Sequence, residues 1–251
     1  MKKMIKILAL VCVFAALSVC FVGCGEEAAN TNVIKFGTNA EFPPFEFVKG
    51  DGSFDGIDIQ IANLIAADNG MTPEIVNMEF DSLLVALENG QVDAVIAGMT
   101  VKPERAEKVD FSISYYQATQ VMIVKEDSTI AKASDMAGKK IAVIQGYTGE
   151  VCVQKMGYEY TSFKKGTDAV MELANGKADV VVIDSATAAK YVADNKDLKI
   201  VEDATAFEGE EYAIAVKKGN KELLDKINAS LQELLDSGKI SELGAQYAVA
   251  E

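Results

Sequence analysis

One pattern occurs twice in this chain, first as Ala86-Leu-Glu-Asn-Gly90-Gln-Val-Asp93-Ala-Val-Ile-Ala-Gly98 and again as Glu172-Leu-Ala-Asn-Gly176-Lys-Ala-Asp179-Val-Val-Val-Ile-Asp184. Each copy predicts a helix, a turn and a strand, because the glycine suits the left-handed residue that ends a helix and the apolar run suits a strand covered on both faces. The repeat therefore predicts two similar α/β lobes. Ligands bind beyond the carboxyl ends of strands in open α/β sheets, so we expect Gly98 and Asp184 to face each other across a cleft.

The first residues form a targeting segment. Lys2, Lys3 and Lys6 precede an uncharged run from Ile7 to Gly25, which is typical of an export signal or, as the alternative, of an uncleaved membrane anchor. The run ends in Gly23-Cys24-Gly25 and resembles a bacterial lipoprotein signal with Cys24 as the first, lipid-bearing mature residue. We predict a signal peptide over residues 1–23 and a polar tether over residues 24–32. Either alternative places the rest of the chain outside the cytoplasmic membrane.

Composition excludes several classes of function. Cleavage would remove Cys12 and Cys20 and leave only Cys152 beside the lipidated Cys24, so no disulfide is expected. Cys152 lies between two valines, which predicts a buried apolar side chain. A formal net charge of −14 argues against nucleic acid as a partner. The chain has no histidine and no phosphate loop, so we expect neither a metal nor a cofactor.

Strands and helices alternate in two rounds after the tether. The first round predicts strand Val33–Thr38, helix Ile57–Asn69, strand Pro73–Met78, helix Ser82–Glu88 capped by Asp81, strand Ala94–Ala97 and helix Pro103–Val109. The second begins after the stretch Gln120–Lys125 and predicts strand Lys140–Ile144, helix Glu150–Met156, strand Tyr160–Phe163, helix Thr167–Ala174 and strand Val180–Ile183. The tail predicts strand Ala213–Val216 and helices Lys221–Ser237 and Ile240–Val249.

We assign the tail to the first lobe, which then consists of residues 33–116 and 212–251, and residues 117–211 to the second lobe. The chain would cross between the lobes twice, near Gln117 to Gln120 and near Phe207 to Tyr212. Two such crossings make a hinge.

Three polar side chains near predicted strand ends match the charges of a free amino acid. Arg105 falls in the first turn of a helix, where the dipole disfavours a cation unless an anion shares the site; the alternative is a surface pair with Glu104 or Asp110. Thr148 offers N–H and hydroxyl to an oxyanion, or caps its helix. Asp184 either binds a cation or caps the next helix. A guanidinium for a carboxylate and a carboxylate for an ammonium suit a zwitterion.

An aromatic loop, Asn39 to Phe47, can supply an apolar wall for the side chain of such a ligand. We expect Phe42 and Phe80 to form this wall and Phe45 and Phe47 to pack inward. Burial of an aromatic face contributes about 1.5–3 kcal/mol.

Five motifs then follow in order: Gly37-Thr-Asn-Ala-Glu-Phe-Pro-Pro-Phe45, Gly56-Ile-Asp58, Gly98-Met-Thr100 with Glu104-Arg105, Asp110-Phe-Ser112 and Gly146-Tyr-Thr-Gly149. From about Val33 onward the chain resembles the extracellular binding proteins of bacterial polar amino-acid ABC importers (family 3). The resemblance implies a two-lobed α/β fold of the type II periplasmic-binding-protein class, with a hinge of two crossover segments. It also implies that Arg105 and the Thr148 amide hold the ligand carboxylate.

The same resemblance implies that Asp184, the Gly98 carbonyl and Thr100 hold the ammonium. Around the ligand it also places Asn39, Glu41, Phe42, Phe80, Ala97, Met99, Ile144, Gln145 and Tyr147. Three positions depart from the family pattern: Ser114, Gln60 and Asn39 stand where relatives carry Pro, an acidic residue and Asp. Glu41 can still supply a negative charge, so we expect basic ligands first, glutamine and other polar neutral ones next, and acidic ones last.

The expected function is that of a monomeric, lipid-anchored receptor on the outer side of the membrane, which delivers an L-amino acid to a permease and its ATPase without chemistry. An alternative is a dehydratase of the same fold, acting on amino-acid-like ring acids with Glu41 as general acid. A third alternative is the ligand-sensing component of a signalling system.

Overall fold

The computed structural model describes residues 32–248; the predicted signal peptide and the lipidation site at Cys24 lie outside the described residues. A compact unit begins at Val33. None of the helices in the described range has the length and apolar character needed to cross a bilayer.

Short strands and helices alternate along the described chain. The strands are β1 (Val33–Thr38), β2 (Glu41–Phe42), β3 (Glu46–Val48), β4 (Phe54–Asp55), β5 (Thr72–Asn77), β6 (Ala94–Val95), β7 (Val109–Phe111), β8 (Tyr116–Lys125), β9 (Ile141–Ile144), β10 (Tyr160–Phe163), β11 (Val180–Asp184), β12 (Leu198–Val201), β13 (Gly209–Tyr212) and β14 (Ala215–Lys217). The α-helices are α1 (Ile57–Asp68), α2 (Leu83–Glu88), α3 (Pro103–Ala106), α4 (Thr148–Lys155), α5 (Gly166–Ala174), α6 (Ser185–Asp194), α7 (Lys221–Asp236) and α8 (Lys239–Tyr247). Two 3-10 helices cover Phe80–Ser82 and Ala133–Met136.

The first sheet has the strand order β5-β1-β6-β14-β7. Strand β1 pairs in parallel with β5 and β6, whereas β14 is antiparallel to β6 and β7. Helix α1 covers this sheet with the buried residues Ile57, Ile61 and Ile65, whose spacing of four places them on one helix face.

The second sheet has the order β10-β9-β11-β8-β12. Strand β9 is parallel to both of its neighbours, and β8 runs antiparallel to β11 and β12. All five residues of β11 are buried, as expected for a central strand covered on both faces. The strand ends at Asp184, which is thereby held at the carboxyl edge of the sheet.

Two neighbouring strands connect the sheets. Strand β8 follows β7 of the first sheet and begins beside β13, with Tyr116 opposite Tyr212, before its later residues enter the second sheet. Strand β13 leads directly into β14 of the first sheet. These are the two chain crossings predicted from the sequence.

The repeated helix–turn–strand unit is confirmed. Helices α2 and α5 are followed by Gly90 and Gly176 with φ of 71° and 72°, the left-handed conformation that glycine adopts without a Cβ clash. Strands β6 and β11 come next.

Several predicted element ends were wrong. Asp81 does not cap α2, because a 3-10 turn precedes it and Ser82 occupies the cap position. Helix α3 ends at Ala106, because Val109 already belongs to β7. The predicted strand 94–97 pairs only over Ala94–Val95, before the left-handed turn at Gly98.

The small sheet β2-β3-β4 and the strand β13 were missed. Strands of two or three residues are too short for alternation to identify them. Cys152 is half-buried rather than buried, and packs from α4 against the core of the second sheet.

Candidate functional site

Nine of the residues predicted for the site surround one cavity of about 10 Å³, which has room for about one water molecule. From the first-sheet side come Phe42, Phe80, Ala97, Gly98, Thr100 and Arg105, and from the second-sheet side come Tyr147, Thr148 and Asp184. The cavity therefore lies between the carboxyl ends of β6 and β11, where the repeat placed it.

Gly98 forms the turn that follows β6. Its φ of +51° is left-handed, and a Cβ at this position would lie 2.6 Å from the Phe42 ring, so only glycine fits. The Gly98 N–H donates to Asp58 Oδ2 at 2.7 Å, and the Tyr115 hydroxyl donates to the same oxygen at 2.8 Å. Helix α1 thus holds the turn at Gly98 in place through the buried carboxyl of Asp58.

A second buried carboxyl, Glu46, accompanies Asp58 beneath this turn, and both side chains are fully buried. Burial raises the pKa of Asp58 to about 6. Burial and the Asp58 charge raise the pKa of Glu46 well above its usual value, because two neighbouring buried carboxyls disfavour each other's charged form.

Arg105 bridges the two sides of the cleft. Its Nη1 donates to the Thr100 carbonyl at 2.9 Å and its Nη2 to the Gly146 carbonyl at 3.0 Å, while the guanidinium carbon lies 5.3 Å from the centre of the Phe80 ring. Burial lowers the pKa of the guanidinium. Both hydrogen-bonded acceptors are neutral, and a carboxylate in their place would make stronger, charge-assisted hydrogen bonds.

The alternative role for Arg105, a surface ion pair, is absent from the described residues. Asp110 pairs instead with Lys218 at 3.1 Å, and no salt bridge within residues 32–248 joins Arg105 to Glu104.

Thr148 is the first residue of α4 and does not cap it, because Tyr147 occupies the cap position. Its hydroxyl donates to Thr100 Oγ1 at 3.1 Å, and Thr100 Oγ1 donates to Glu210 Oε2 at 2.8 Å. The Thr148 N–H belongs to the first helical turn, whose amides have no partner within the helix and point toward an anion site.

Asp184 occupies the cap position of α6 but makes no side-chain cap bond. Its Oδ1 accepts a hydrogen bond from the Tyr212 hydroxyl at 2.5 Å. Burial and the nearby Glu210 charge raise the pKa of Asp184 to about 7, against the hydrogen bond from Tyr212 that lowers it. A cation placed beside this buried carboxylate would relieve that electrostatic cost.

The aromatic wall is arranged largely as predicted. Tyr147 meets Phe42 edge-on, with ring centres 5.3 Å apart, and lies 4.6 Å from Phe80. Phe45 is fully buried, whereas Phe47 is half-buried against Tyr247. Phe42 and Phe80 line the cavity.

Five predicted residues do not line the cavity: Asn39, Glu41, Met99, Ile144 and Gln145. Asn39 supports it through Oδ1, which accepts from the Tyr147 hydroxyl at 2.8 Å. Met99 and Ile144 are core residues of the first and second sheets. Glu41 and Gln145 reach across the rim, to Lys165 at 2.7 Å and to Asp81 at 2.9 Å.

Four further residues at or near the cleft were not predicted from the sequence: Gln120, Glu210, Tyr212 and Lys165. Gln120 lies opposite Asp184 in the sheet and is 1% exposed; a polar residue directly before the apolar run from Val121 to Val124 was the available signal. Glu210 and Tyr212 lie on β13, a strand that was not predicted. Nothing in the sequence singles out Lys165.

Comparison with known proteins identifies similar chains. The model of the bacterial extracellular solute-binding proteins, family 3, matches residues 34–250. The arginine-binding extracellular protein ArtP of Bacillus subtilis is 34% identical over all of both chains.

Two solved structures resemble this one closely. The arginine-, lysine-, histidine-binding protein ArtJ of Geobacillus stearothermophilus has a TM-score of 0.81 at 35% identity, covering 85% of this chain and 94% of its own. An ancestral arginine-binding protein bound to glutamine has a TM-score of 0.81 at 40% identity, covering 86% and 97%. The two-lobed type II fold predicted from the sequence is thereby confirmed.

Proposed function

The chain belongs to the bacterial extracellular solute-binding proteins of family 3, and we propose that its solute is a free L-amino acid taken up through an ABC importer. The observation that carries the proposal is the placement of Arg105 and Asp184 around one cavity, from opposite sheets. Family membership also makes the chain a solute-binding protein rather than an enzyme, which sets the dehydratase alternative aside.

The ligand carboxylate binds to Arg105 and to the Thr148 N–H. The guanidinium already donates two hydrogen bonds across the cleft, and a carboxylate can take the place of one or both carbonyl acceptors. The first turn of α4 adds the favourable end of a helix dipole.

The ligand ammonium binds to Asp184, the Gly98 carbonyl and the Thr100 hydroxyl oxygen. Asp184 supplies the opposite charge from the second-sheet side, while Gly98 and Thr100 line the same cavity from the first. A buried carboxylate whose pKa is raised to about 7 gains most from a cation, because it lacks solvent to stabilise its charge.

Binding requires the cleft to open, because a cavity of about 10 Å³ cannot admit an amino acid. We propose that residues 33–116 and 212–251 form one lobe and residues 117–211 the other. The paired strands β8 and β13 are the segments that would bend. Arg105 then exchanges its bond to Gly146 for the ligand as the lobes part and close again.

Basic amino acids are the favoured ligands. Glu41 lies at the rim with a quarter of its side chain exposed, two residues from Asn39 and next to the aromatic wall, where it can accept a guanidinium or ammonium from the ligand side chain. Relatives named as arginine-binding support this preference. Glutamine ranks next, and acidic ligands are disfavoured by Glu41, Asp184 and Glu210.

We further propose that Cys24 carries a lipid that holds the receptor at the outer face of the membrane, beside its permease and ATPase. The support is the Gly23-Cys24-Gly25 ending of the apolar segment. Labelling cells with a tagged fatty acid should mark the wild type and not C24A, and C24A should leave the membrane fraction. Equal membrane retention of C24A would contradict the lipid anchor.

A thermal-shift panel of the twenty common amino acids tests the proposal on protein lacking residues 1–24. Ligand that binds only the folded state stabilises it by RT ln(1 + [L]/Kd), so arginine or lysine should raise Tm most and D184N should abolish the shift. No shift with any amino acid, together with no heat in calorimetry, would refute an amino-acid receptor.

A further inference from the structure

A salt bridge crosses the mouth of the cleft. Lys165 Nζ lies 2.7 Å from Glu41 Oε1. Glu41 lies in β2, beside the first sheet, and Lys165 directly precedes α5 of the second-sheet side. Of the seven salt bridges within residues 32–248, this is the one that joins the two sides.

The surroundings of Lys165 keep it charged and keep it at Glu41. The Glu41 carboxylate raises the pKa of the Lys165 ammonium, and Asp168 and Glu79 add to this effect. The start of α5 fits closely against Tyr191, whose ring would lie 3.2 Å and whose hydroxyl would lie 2.5 Å from a Cβ at Gly166. The Tyr191 hydroxyl donates to the Glu41 carbonyl at 3.4 Å, so backbone and side chain of Glu41 both contact the second-sheet side.

We propose that Lys165 is a specificity-determining residue that competes with a cationic ligand side chain for Glu41. The inference rests on the proposed function, in which Glu41 is the acceptor for that side chain. A basic ligand must then either displace the Lys165 ammonium or share one carboxylate with it, and two cations at one carboxylate repel each other. A neutral ligand meets neither cost.

Lys165 therefore reduces the difference in affinity between basic and neutral ligands, so that the receptor binds a broader range of amino acids. Such discrimination by a repulsive group is a common way to set specificity. The lysine side chain is 49% exposed and that of Glu41 is 25% exposed, so solvent and salt screen the interaction and its effect on affinity is about two- to fivefold.

A different role for the Lys165–Glu41 salt bridge would change ligand affinities in a different way. If the salt bridge acts only as a latch that stabilises the closed cleft, its loss weakens every ligand by the same factor. Arginine and citrulline separate the two roles, because citrulline has nearly the same shape as arginine but a neutral side-chain end.

The test is calorimetric titration of wild type, K165M and K165Q with L-arginine and L-citrulline, at low and at high salt. We expect both variants to bind arginine about two- to fivefold more tightly than wild type at low salt, with less effect at high salt and no gain for citrulline. Lys164 is an exposed neighbour that forms no salt bridge within the described range, so K164M is the matched control and should change neither affinity.

Equal weakening of both ligands, or an unchanged ratio of their affinities, would overturn the role of Lys165 while leaving the amino-acid receptor intact. Failure of the wild type to bind any amino acid would overturn both. Thermal melting of each variant confirms that it is folded.

Discussion

The enclosed centre of the cleft and its rim recognise a ligand by different means. At the centre, Arg105, Thr148 and Asp184 make hydrogen bonds of 2.9, 3.1 and 2.5 Å, with Thr148 and Asp184 buried and Arg105 half-buried. At the rim, the Glu41–Lys165 and Gln145–Asp81 contacts are partly exposed. The centre matches the two charges that every amino acid carries, and the rim lies where amino acids differ.

Burial determines how strongly each charged residue affects ligand affinity. An enclosed charge has no solvent to replace a lost partner, so its removal is costly. A rim charge is screened, and its removal adjusts preference between ligands.

The largest effect is expected from D184N, which removes the only carboxylate that lines the cavity within the described residues. Affinity for every amino acid should fall at least hundredfold, because loss of one partner of a buried ion pair costs about 3–5 kcal/mol. Titration calorimetry measures it. The control is D179N. Asp179 directly precedes β11, the strand that Asp184 ends, and its carboxylate accepts a hydrogen bond from the Lys140 N–H. Normal binding by D184N would refute the assignment of the centre.

Acidification should weaken binding without any mutation. Because the pKa of Asp184 is raised to about 7, the carboxylate that holds the ammonium is protonated at lower pH, and affinity should fall by about tenfold per pH unit below that value. Calorimetry with arginine from pH 8 to pH 5 checks this, and a constant affinity over that range would contradict the role of Asp184.

The stability of the ligand-free protein should depend on pH in the opposite direction to ligand affinity. Asp184 binds its proton more tightly in the folded state than at its ordinary pKa of 3.8, so between about pH 4 and pH 7 the folded protein holds more protons than the unfolded chain. The free energy of unfolding without ligand should therefore decrease by a few kcal/mol as pH rises through this window. D184N should have a shallower decrease in urea denaturation; an equally steep one would place the proton elsewhere, for example on Glu46 or Asp58.

A smaller loss of affinity is expected from R105K, which keeps the positive charge but removes the planar guanidinium and its paired donors. Affinity should fall about 30- to 100-fold for all amino acids, since two charge-assisted hydrogen bonds cannot both be replaced by one ammonium. The control is K108R, the reverse substitution at an exposed lysine, which should not change ligand affinity. Retained affinity in R105K would mean that the carboxylate is held elsewhere.

The smallest effect is predicted at the rim. E41Q should lower arginine affinity about tenfold, the worth of one charge-assisted hydrogen bond of about 1.5 kcal/mol, and should leave citrulline affinity unchanged. If both ligands weaken equally, Glu41 belongs to the centre and the division between centre and rim is wrong.

The sequence predicted the centre better than the rim for a physical reason. Gly98 follows a buried strand and Asp184 ends one, and Arg105 and Thr148 each lie in the first turn of a helix, so local patterns place them at sheet ends. The contacts that complete the site join residues far apart in sequence, as Thr100 joins Glu210 and Lys165 joins Glu41.

Prediction of the fold was limited in the same way, because only elements with a clear local sequence pattern could be recognised. Long buried strands such as β11 and the amphipathic helix α7 were recognisable, whereas β2, β3 and β4 are too short to carry a periodic signal. The choice between cap and ligand at Asp184 also depended on Tyr212, which approaches it only through the pairing of β8 and β13.

In the proposed function, the enclosed centre binds both charges of a free amino acid. Calorimetric titration with L-arginine, agmatine, which lacks the carboxylate, and N-acetyl-L-arginine, which lacks the ammonium, tests it most directly. Arginine should bind with a Kd in the micromolar range or below, and the other two compounds should bind at least hundredfold more weakly. Agmatine or N-acetyl-L-arginine binding as tightly as arginine would contradict it.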